Sequence, residues 1–316
     1  MSLENFTYEE QRIPDAQPIY VNSSSLKLGA CERRYALTVG GYNPPEEDDD
    51  DILLTGTALH KFAELFSLNG GDIADAVREA SKLYPTIPRA TILKCGASRA
   101  RCFIPPPIMV AGRPAVEFKF NIPWYTFQYE GKKYQLIICG TIDHLTFDKD
   151  QVVIYDYKSS RYRQSEYALK KYKRSSQFAF YQWVLYTFAA QLKLDMHYAN
   201  AIREGRIGSR VVPILISATE PLWVVGPMRS LSPHQFADYR DHFVNLLLNT
   251  LLPALLQLTV HSDIPHASGM VNDACQYCKF ANFCFARTEE EAAKVFKAFP
   301  RKEYNPTSKE EEENDN

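Results

Sequence analysis

Residues 140–158, GTIDHLTFDKDQVVIYDYK, leave a chain of this kind few ways to fold. Residues 136–147 are rich in strand formers, Asp148-Lys149-Asp150-Gln151 is a polar turn, and residues 152–158 read as a second strand, so the segment predicts a β-hairpin. A turn centred on Lys149-Asp150 places Asp143 directly opposite Asp156. Strand side chains alternate in direction, which puts Asp156 and Lys158 on one face and Tyr157 on the other. Like charges facing each other destabilise a hairpin, so the pair calls for a resolving partner. A divalent cation would serve, because Mg2+ prefers oxygen ligands and lowers the pKa of water bound to it. Lys158 would then orient that water or stabilise charge developing on a phosphate. The plainer alternative is an Asp pair on a wet face with Lys158 as counter-ion.

The formal net charge of −2 argues against a nucleic-acid partner only until the acids are located. Residues 46–51 are six consecutive carboxylates, and residues 310–315 hold five more. Without those eleven, 27 acids face 36 Lys and Arg, leaving a body of about +9. Runs of acid are commonly solvated loops or tails; shielding of a basic groove is the other reading. At 316 residues the chain can bury a full core as one large domain or two small ones. We expect an N-terminal arm over 1–20, a single domain over 21–290, and an extension over 291–316 ending in a disordered acidic tail. No apolar run reaches the roughly 18 residues of a membrane span and no signal pattern opens the chain, so a cytoplasmic protein without a membrane partner is expected.

Helices are expected over 22–35, carrying Cys31, and from about Thr57, where Leu59, Phe62, Ala63 and Phe66 recur at helical spacing and His60 sits one turn in. Gly56, just ahead of that helix, would let a backbone or ligand approach closely. A helix over 72–83 follows, then strands from Ala115 that carry Glu117 beside Lys119. Three or four antiparallel strands are expected around Asp143 and Asp156. Beyond Lys158, Arg161, Arg163, Lys170, Lys171, Lys173 and Arg174 alternate with Tyr162, Tyr167 and Tyr172. Basic groups bind phosphate and aromatic rings stack on unpaired bases, so this stretch reads either as a track for DNA or as a basic soluble loop. A helix over 176–192 puts Gln177 and Tyr181 on one face. Two strands are expected over 208–217 and 222–226. Ser232-Pro233-His234-Gln235 opens a long helix with a kink at Pro253.

Of the seven cysteines, Cys275, Cys278 and Cys284 form C-x2-C-x5-C. That grouping suits a soft-metal site with Cys31 as the candidate fourth ligand, filled by zinc or an iron–sulfur cluster. Cys95, Cys102 and Cys139 read as free thiols.

GTALH at 56–60, GTID at 140–143, DYK at 156–158 and QFAFY at 177–181 resemble, in order, the motifs of RecB-like nucleases of the PD-(D/E)XK superfamily. The early Cys31 and late C-x2-C-x5-C resemble its iron–sulfur branch, which includes the CRISPR-associated adaptation exonucleases, the AddB nuclease domain and exonuclease V. The resemblance implies an α/β fold, a mixed central sheet flanked by helices, with an iron–sulfur staple joining the N- and C-terminal segments. It implies a metal-dependent DNA exonuclease acting on single strands or DNA ends, with CRISPR adaptation, DNA repair and phage recombination left open as its pathway. His60, Asp143 and Asp156, with the Tyr157 carbonyl as a further ligand, would hold Mg2+ or Mn2+. Lys158 would help activate water, and Gln177 and Tyr181 would position Lys158 or the DNA. Cys31, Cys275, Cys278 and Cys284 would hold a [4Fe–4S] cluster, and Glu117 is a loose match to the site. The alternative is a catalytically weak, nuclease-like module that recruits a helicase or integrase.

Overall fold

Strands open the chain and helices close it. In a computed structural model, residues 7–9, 11–27, 31–42, 51–160, 162–172, 175–216, 221–265, 275, 278–286 and 288–301 are described, with backbone only at 51–53, 171 and 233. The acidic run, the acidic tail, Arg161, Lys173 and Arg174 therefore lie outside the described side chains. The elements run β1 (Thr7–Tyr8), β2 (Gln17–Val21), α1 (Ser23–Lys27), α2 (Glu32–Val39), α3 (Asp51–Leu68), α4 (Ile73–Leu83) and α5 (Arg89–Arg101). A small hairpin of β3 (Met109–Val110) and β4 (Arg113–Pro114) leads to β5 (Val116–Tyr129), β6 (Lys132–Asp148) and β7 (Gln151–Ser160). Then come α6 (Ser165–Tyr172), α7 (Ser176–Phe188), α8 (Met196–Arg203), β8 (Ile207–Leu215) and β9 (Leu222–Trp223). The chain closes with α9 (Pro233–Leu246), a π-helical turn (Leu247–Leu251), α10 (Leu252–His261), α11 (Ala281–Cys284) and α12 (Glu289–Lys297).

The chain divides into two units. One comprises Met1–Glu47, Phe120–Gly140 and Ala237–Asn316, the other Asp48–Lys119 and Thr141–Phe236. In the first unit β1 pairs antiparallel with β5, and β2 pairs parallel with β6 from Gln17↔Tyr134 to Val21↔Ile138. Residues 17–20 thus belong to the sheet rather than to an arm: Ile19, Tyr20 and Val21 are strand formers, and all three are buried. The expected helix over 22–35 is two helices, and Cys31 is the N-cap residue of α2 rather than a helical position. Ala36 and Leu37 of α2 pack with Ala254 and Leu258 of α10 and with Phe280 and Phe283 beside the late cysteines. Ser232 and Gln235 exchange the expected capping bonds, Gln235 N–H to Ser232 Oγ at 3.3 Å and Ser232 N–H to Gln235 Oε1 at 2.9 Å. The expected kink is a π-helical turn that ends two residues before Pro253, where the ring's missing N–H and its bulk loosen the i→i−4 ladder. The run from His234 to His261 is long and apolar enough by composition to cross a membrane. Leu247, Leu251, Leu252, Leu255, Leu256 and Leu258 within it are buried by the protein, which accounts for that composition.

The second unit holds the predicted hairpin in the predicted register, His144↔Tyr155 to Asp148↔Gln151. Lys149 and Asp150 take φ of 48° and 63°, the positive pair that a two-residue hairpin turn demands. The Asp150 carbonyl accepts from the guanidinium of Arg206, which fixes this unusual Lys-Asp turn. Beyond β7 the expected antiparallel neighbours give way to a parallel one, in keeping with the mixed sheet that the resemblance implied. β8 lies parallel to β7 from Val152↔Ile207 to Ser160↔Leu215, because α6, α7 and α8 supply the crossover that a parallel neighbour needs. β9 closes antiparallel on β8, so the sheet is mixed. The residues after Lys158 read as a loop or track but include the helix α6.

Helices α3, α4 and α5 bury Leu59, Phe62, Ala76, Val77 and Ile92 against Tyr155 and Tyr157 of β7 and Val212 and Ile214 of β8. α3 starts at Asp51, earlier than its apolar spacing suggests, and so contains Gly56. A Cβ there would stand 2.6 Å from Ser159 Oγ and 3.2 Å from Ser159 Cβ, so the close approach that Gly56 permits is to strand β7. α5 was hidden in the sequence by its weak periodicity and by Gly96, whose missing side chain admits the Phe62 ring.

Candidate active site

The hairpin ladder ends at His144↔Tyr155, one pair short of Asp143 and Asp156. β7 continues along β8 instead, and the backbone N–H of Tyr157 is taken by Asp143 Oδ2 at 2.6 Å. Where β6 and β7 part, the acidic side chains gather. Asp156, 2% exposed, accepts at Oδ1 from Lys158 Nζ at 2.7 Å and from Gln177 Nε2 at 3.0 Å. Gln177 Nε2 also donates to the Tyr181 hydroxyl at 3.3 Å. Asp156 Oδ2 is buried and has no hydrogen-bond partner among the described residues.

α3 brings the histidine. His60 Nδ1 lies 3.7 Å from Asp143 Oδ2 and 3.9 Å from Glu117 Oε1, and one ligand atom from each of these three residues falls within 4.8 Å of the others. Burial, helped by the Lys158 charge, pushes His60 down to about 4, so its ring is neutral at neutral pH and keeps a lone pair for a cation. The Tyr157 backbone works the other way on that ring, as an adjacent carbonyl acceptor does. Burial also raises the pKa of Asp143 and of Asp156, against the pull of Lys158. Burial works against the Lys158 charge too, but Asp156 and Asp143 together outweigh it and raise the ammonium. With His60 neutral, Asp143 and Asp156 share the Lys158 ammonium, and Glu117 brings a third carboxylate to the cluster. Imidazole and carboxylate donors gathered in this way are the ligand set that a divalent cation takes.

The residues therefore fit a hard cation by donor chemistry and by the orphaned oxygen of Asp156. His60, Asp143, Asp156, Lys158, Gln177 and Tyr181, all named from the sequence, share this one site. Glu117 was legible only as a loose match. It sits at the start of β5 with φ of 46°, a left-handed conformation that costs a non-glycine residue about 1–2 kcal/mol. No Gly or Asn marks that turn of the backbone, so the sequence carried no signal that the carboxylate would be swung into the site. Glu117→Asn is expected to relieve strain, since Asn tolerates this region, and to hold or raise the unfolding midpoint while weakening Mn2+ binding. Denaturant unfolding and calorimetric titration of the same sample check both halves.

The basic stretch is only partly described. Arg163 and Lys170 are exposed, and the side chains of Arg161, Lys171, Lys173 and Arg174 lie outside the described residues. Among the cysteines, none is in a disulfide. Arg33 donates from Nη1 to Cys284 Sγ at 3.6 Å and from Nε to the Pro265 carbonyl at 2.7 Å. Burial raises the Cys284 thiol; Arg33 opposes the shift, and Cys278 and Cys31 are close enough to add to it.

A mixed sheet flanked by helices, with a histidine, three carboxylates and a lysine gathered where two strands separate, defines an α/β protein built around a polar, acid-rich site. The chain belongs to the PD-(D/E)XK nuclease superfamily, whose family model matches residues 23–285, well over half of it. No curated protein matches the chain. Two solved structures are similar over most of their length. One, from Eubacterium rectale and described as a "Putative exonuclease", is 13% identical with a TM-score of 0.41, covering 82% of this chain and 88% of that one. The other, SSO0001, is 12% identical with a TM-score of 0.27, covering 88% and 91%.

Proposed function

We propose that this chain is a divalent-metal-dependent deoxyribonuclease that works on single strands or from DNA ends. The observation that carries the reading is the gathering of His60, Glu117 and Asp143 ligand atoms within 4.8 Å of one another, beside Asp156, whose buried Oδ2 has no hydrogen-bond partner among the described residues. Those four side chains, with the Tyr157 carbonyl, would hold Mg2+ or Mn2+. Bound there, the cation supplies Lewis acidity toward a phosphoryl oxygen and lowers the pKa of water. Lys158 keeps its proton, held by Asp156, and is 26% exposed, so its ammonium can meet a phosphate and stabilise charge on it. Gln177 fixes the Asp156 carboxylate and Tyr181 fixes Gln177, which locks the Lys158–Asp156 pair in place. Hydrolysis by in-line attack of water requires no covalent enzyme intermediate.

Linear and closed circular single-stranded DNA, offered side by side with Mn2+, test the mode of attack. Loss of the linear strand with the circle intact is expected; scission of the circle would make the enzyme an endonuclease.

The same reading gives Cys31, Cys275, Cys278 and Cys284 to a [4Fe–4S] cluster, with zinc as the rival occupant. The support is the proximity of Cys31 and Cys278 to Cys284 and the Arg33 donor at the Cys284 sulfur. Fully bonded thiolates would tie the N-terminus of α2 to the segment around α11. Cys31→Ser is expected to lose the brown colour and the bound iron and sulfide of anaerobically purified protein, and to lower its melting midpoint. Zinc in place of iron would assign the site to the rival metal.

A further inference from the structure

The segment that leaves β7 carries two tyrosines whose rings stay in the open. Tyr162 is 44% exposed and Tyr167 58%, with ring centroids 6.3 Å apart and planes inclined by 31°. Rings of this size are usually covered, so an exposed pair facing much the same way is a surface looking for a flat partner.

Their backbones are held while their rings are not. The Tyr162 N–H donates to Ser160 Oγ at 3.2 Å, and Ser160 is buried and closes the β7–β8 ladder opposite Leu215. Tyr167 is followed on α6 by Ala168, which is fully buried, and by Leu169, whose Cδ2 sits 2.8 Å from where a Cβ on Gly226 would stand. Each ring has two torsions to fix, so presenting it to a ligand costs little entropy. Exposed Arg163 and Lys170 lie near the pair in sequence, with Glu166 as the exposed acid among them. Tyr162 follows Lys158 by four residues, so their Cα atoms lie within about 14 Å, the length of about four stacked nucleotides at ~3.4 Å each.

We infer that Tyr162 and Tyr167 form a stacking platform for an unpaired base of the strand held at the Asp156–Lys158 site. Bases inside a duplex have both faces covered by their neighbours and cannot use it, so the platform selects single-stranded DNA. This rests on the nuclease reading for its substrate, and its test reads binding rather than cleavage.

The test is fluorescence anisotropy of a labelled oligothymidylate with full-length Asp156→Asn protein in chelator, alone and with each tyrosine replaced. Tyr162→Ala and Tyr167→Ala are each expected to weaken binding about five- to 150-fold, while Tyr→Phe at either position stays within about twofold. A blunt duplex of equal length is expected to bind all of these proteins alike. An oligonucleotide with abasic sites is expected to bind the parent weakly and to lose nothing further in the alanine variants. Equal loss on duplex and single strand, no loss on single strand, or Phe variants as weak as Ala variants would each overturn the platform. Tyrosine-dependent binding by a protein that never hydrolyses DNA would instead support the platform while sinking the nuclease reading.

Discussion

Asp156→Asn is expected to lower metal-dependent hydrolysis of DNA by about a thousandfold or more while leaving a folded protein. Asp156 is the member of the cluster with a bare, buried carboxylate oxygen, the atom that the proposed cation would take. Removing one well-placed electrostatic group from a site of this kind typically costs 10²–10³ or about 3–4 kcal/mol, and a ligand's loss adds the weakened hold on the metal. The fold has less at stake. Asn still offers Oδ1 to Gln177 and Lys158, and the Lys158 ammonium reaches solvent. Rates on end-labelled oligonucleotide, with circular dichroism of the same preparation, separate the two effects. A variant that keeps a tenth of the wild-type rate would take Asp156 out of the reacting centre.

Lys158→Met is expected to damage both activity and stability. It strips the cation from a carboxylate that is 2% exposed, and breaking a buried pair from one side costs about 3–5 kcal/mol. The sign of its pH dependence follows from Asp156. Burial already raises that carboxyl above its ordinary value, and Lys158 is the largest influence holding it down. Without Lys158 the folded-state pKa rises further above the unfolded one, so the folded state binds the extra proton. Stability is then greatest at low pH and is lost as pH rises through the raised pKa. Relative to wild type, the variant should look least impaired near pH 5 and most impaired near pH 8. Asp156→Asn combined with Lys158→Met should recover part of the loss, because the Asp156 charge no longer needs a partner and Asp143 keeps the Tyr157 N–H. Urea unfolding of the two single variants and the double variant at both pH values closes the cycle. Additive losses would show that the pair is not coupled.

What the sequence made legible divides along a physical line. The hairpin register needed only alternation and a polar turn, and it holds to the residue, from His144↔Tyr155 to Asp148↔Gln151. The ladder's early end was not legible, because the Asp143 carboxylate replaces a strand partner for the Tyr157 N–H and side-chain substitution of that kind leaves no pattern. Motif likeness, rather than periodicity, singled out His60; on its helix it is one polar residue among core positions. Glu117 depends on a left-handed backbone with no glycine to announce it. Parallel pairing of β7 with β8 depends on three crossover helices, of which α6 read as a basic track and α8 was missed. The cysteine spacing pointed to a shared site, and the environment of Cys284 places Cys31 and Cys278 in its neighbourhood.

The most direct test of the central claim is hydrolysis of 5′-labelled single-stranded DNA by anaerobically purified full-length protein, with Mn2+ and with chelator, beside Asp143→Asn. Cleavage that requires Mn2+ and vanishes in Asp143→Asn is the predicted result. No cleavage by a folded, metal-supplied wild type, or equal cleavage by Asp143→Asn, would contradict it. The first of those outcomes would leave a nuclease-like fold that binds DNA without cutting it.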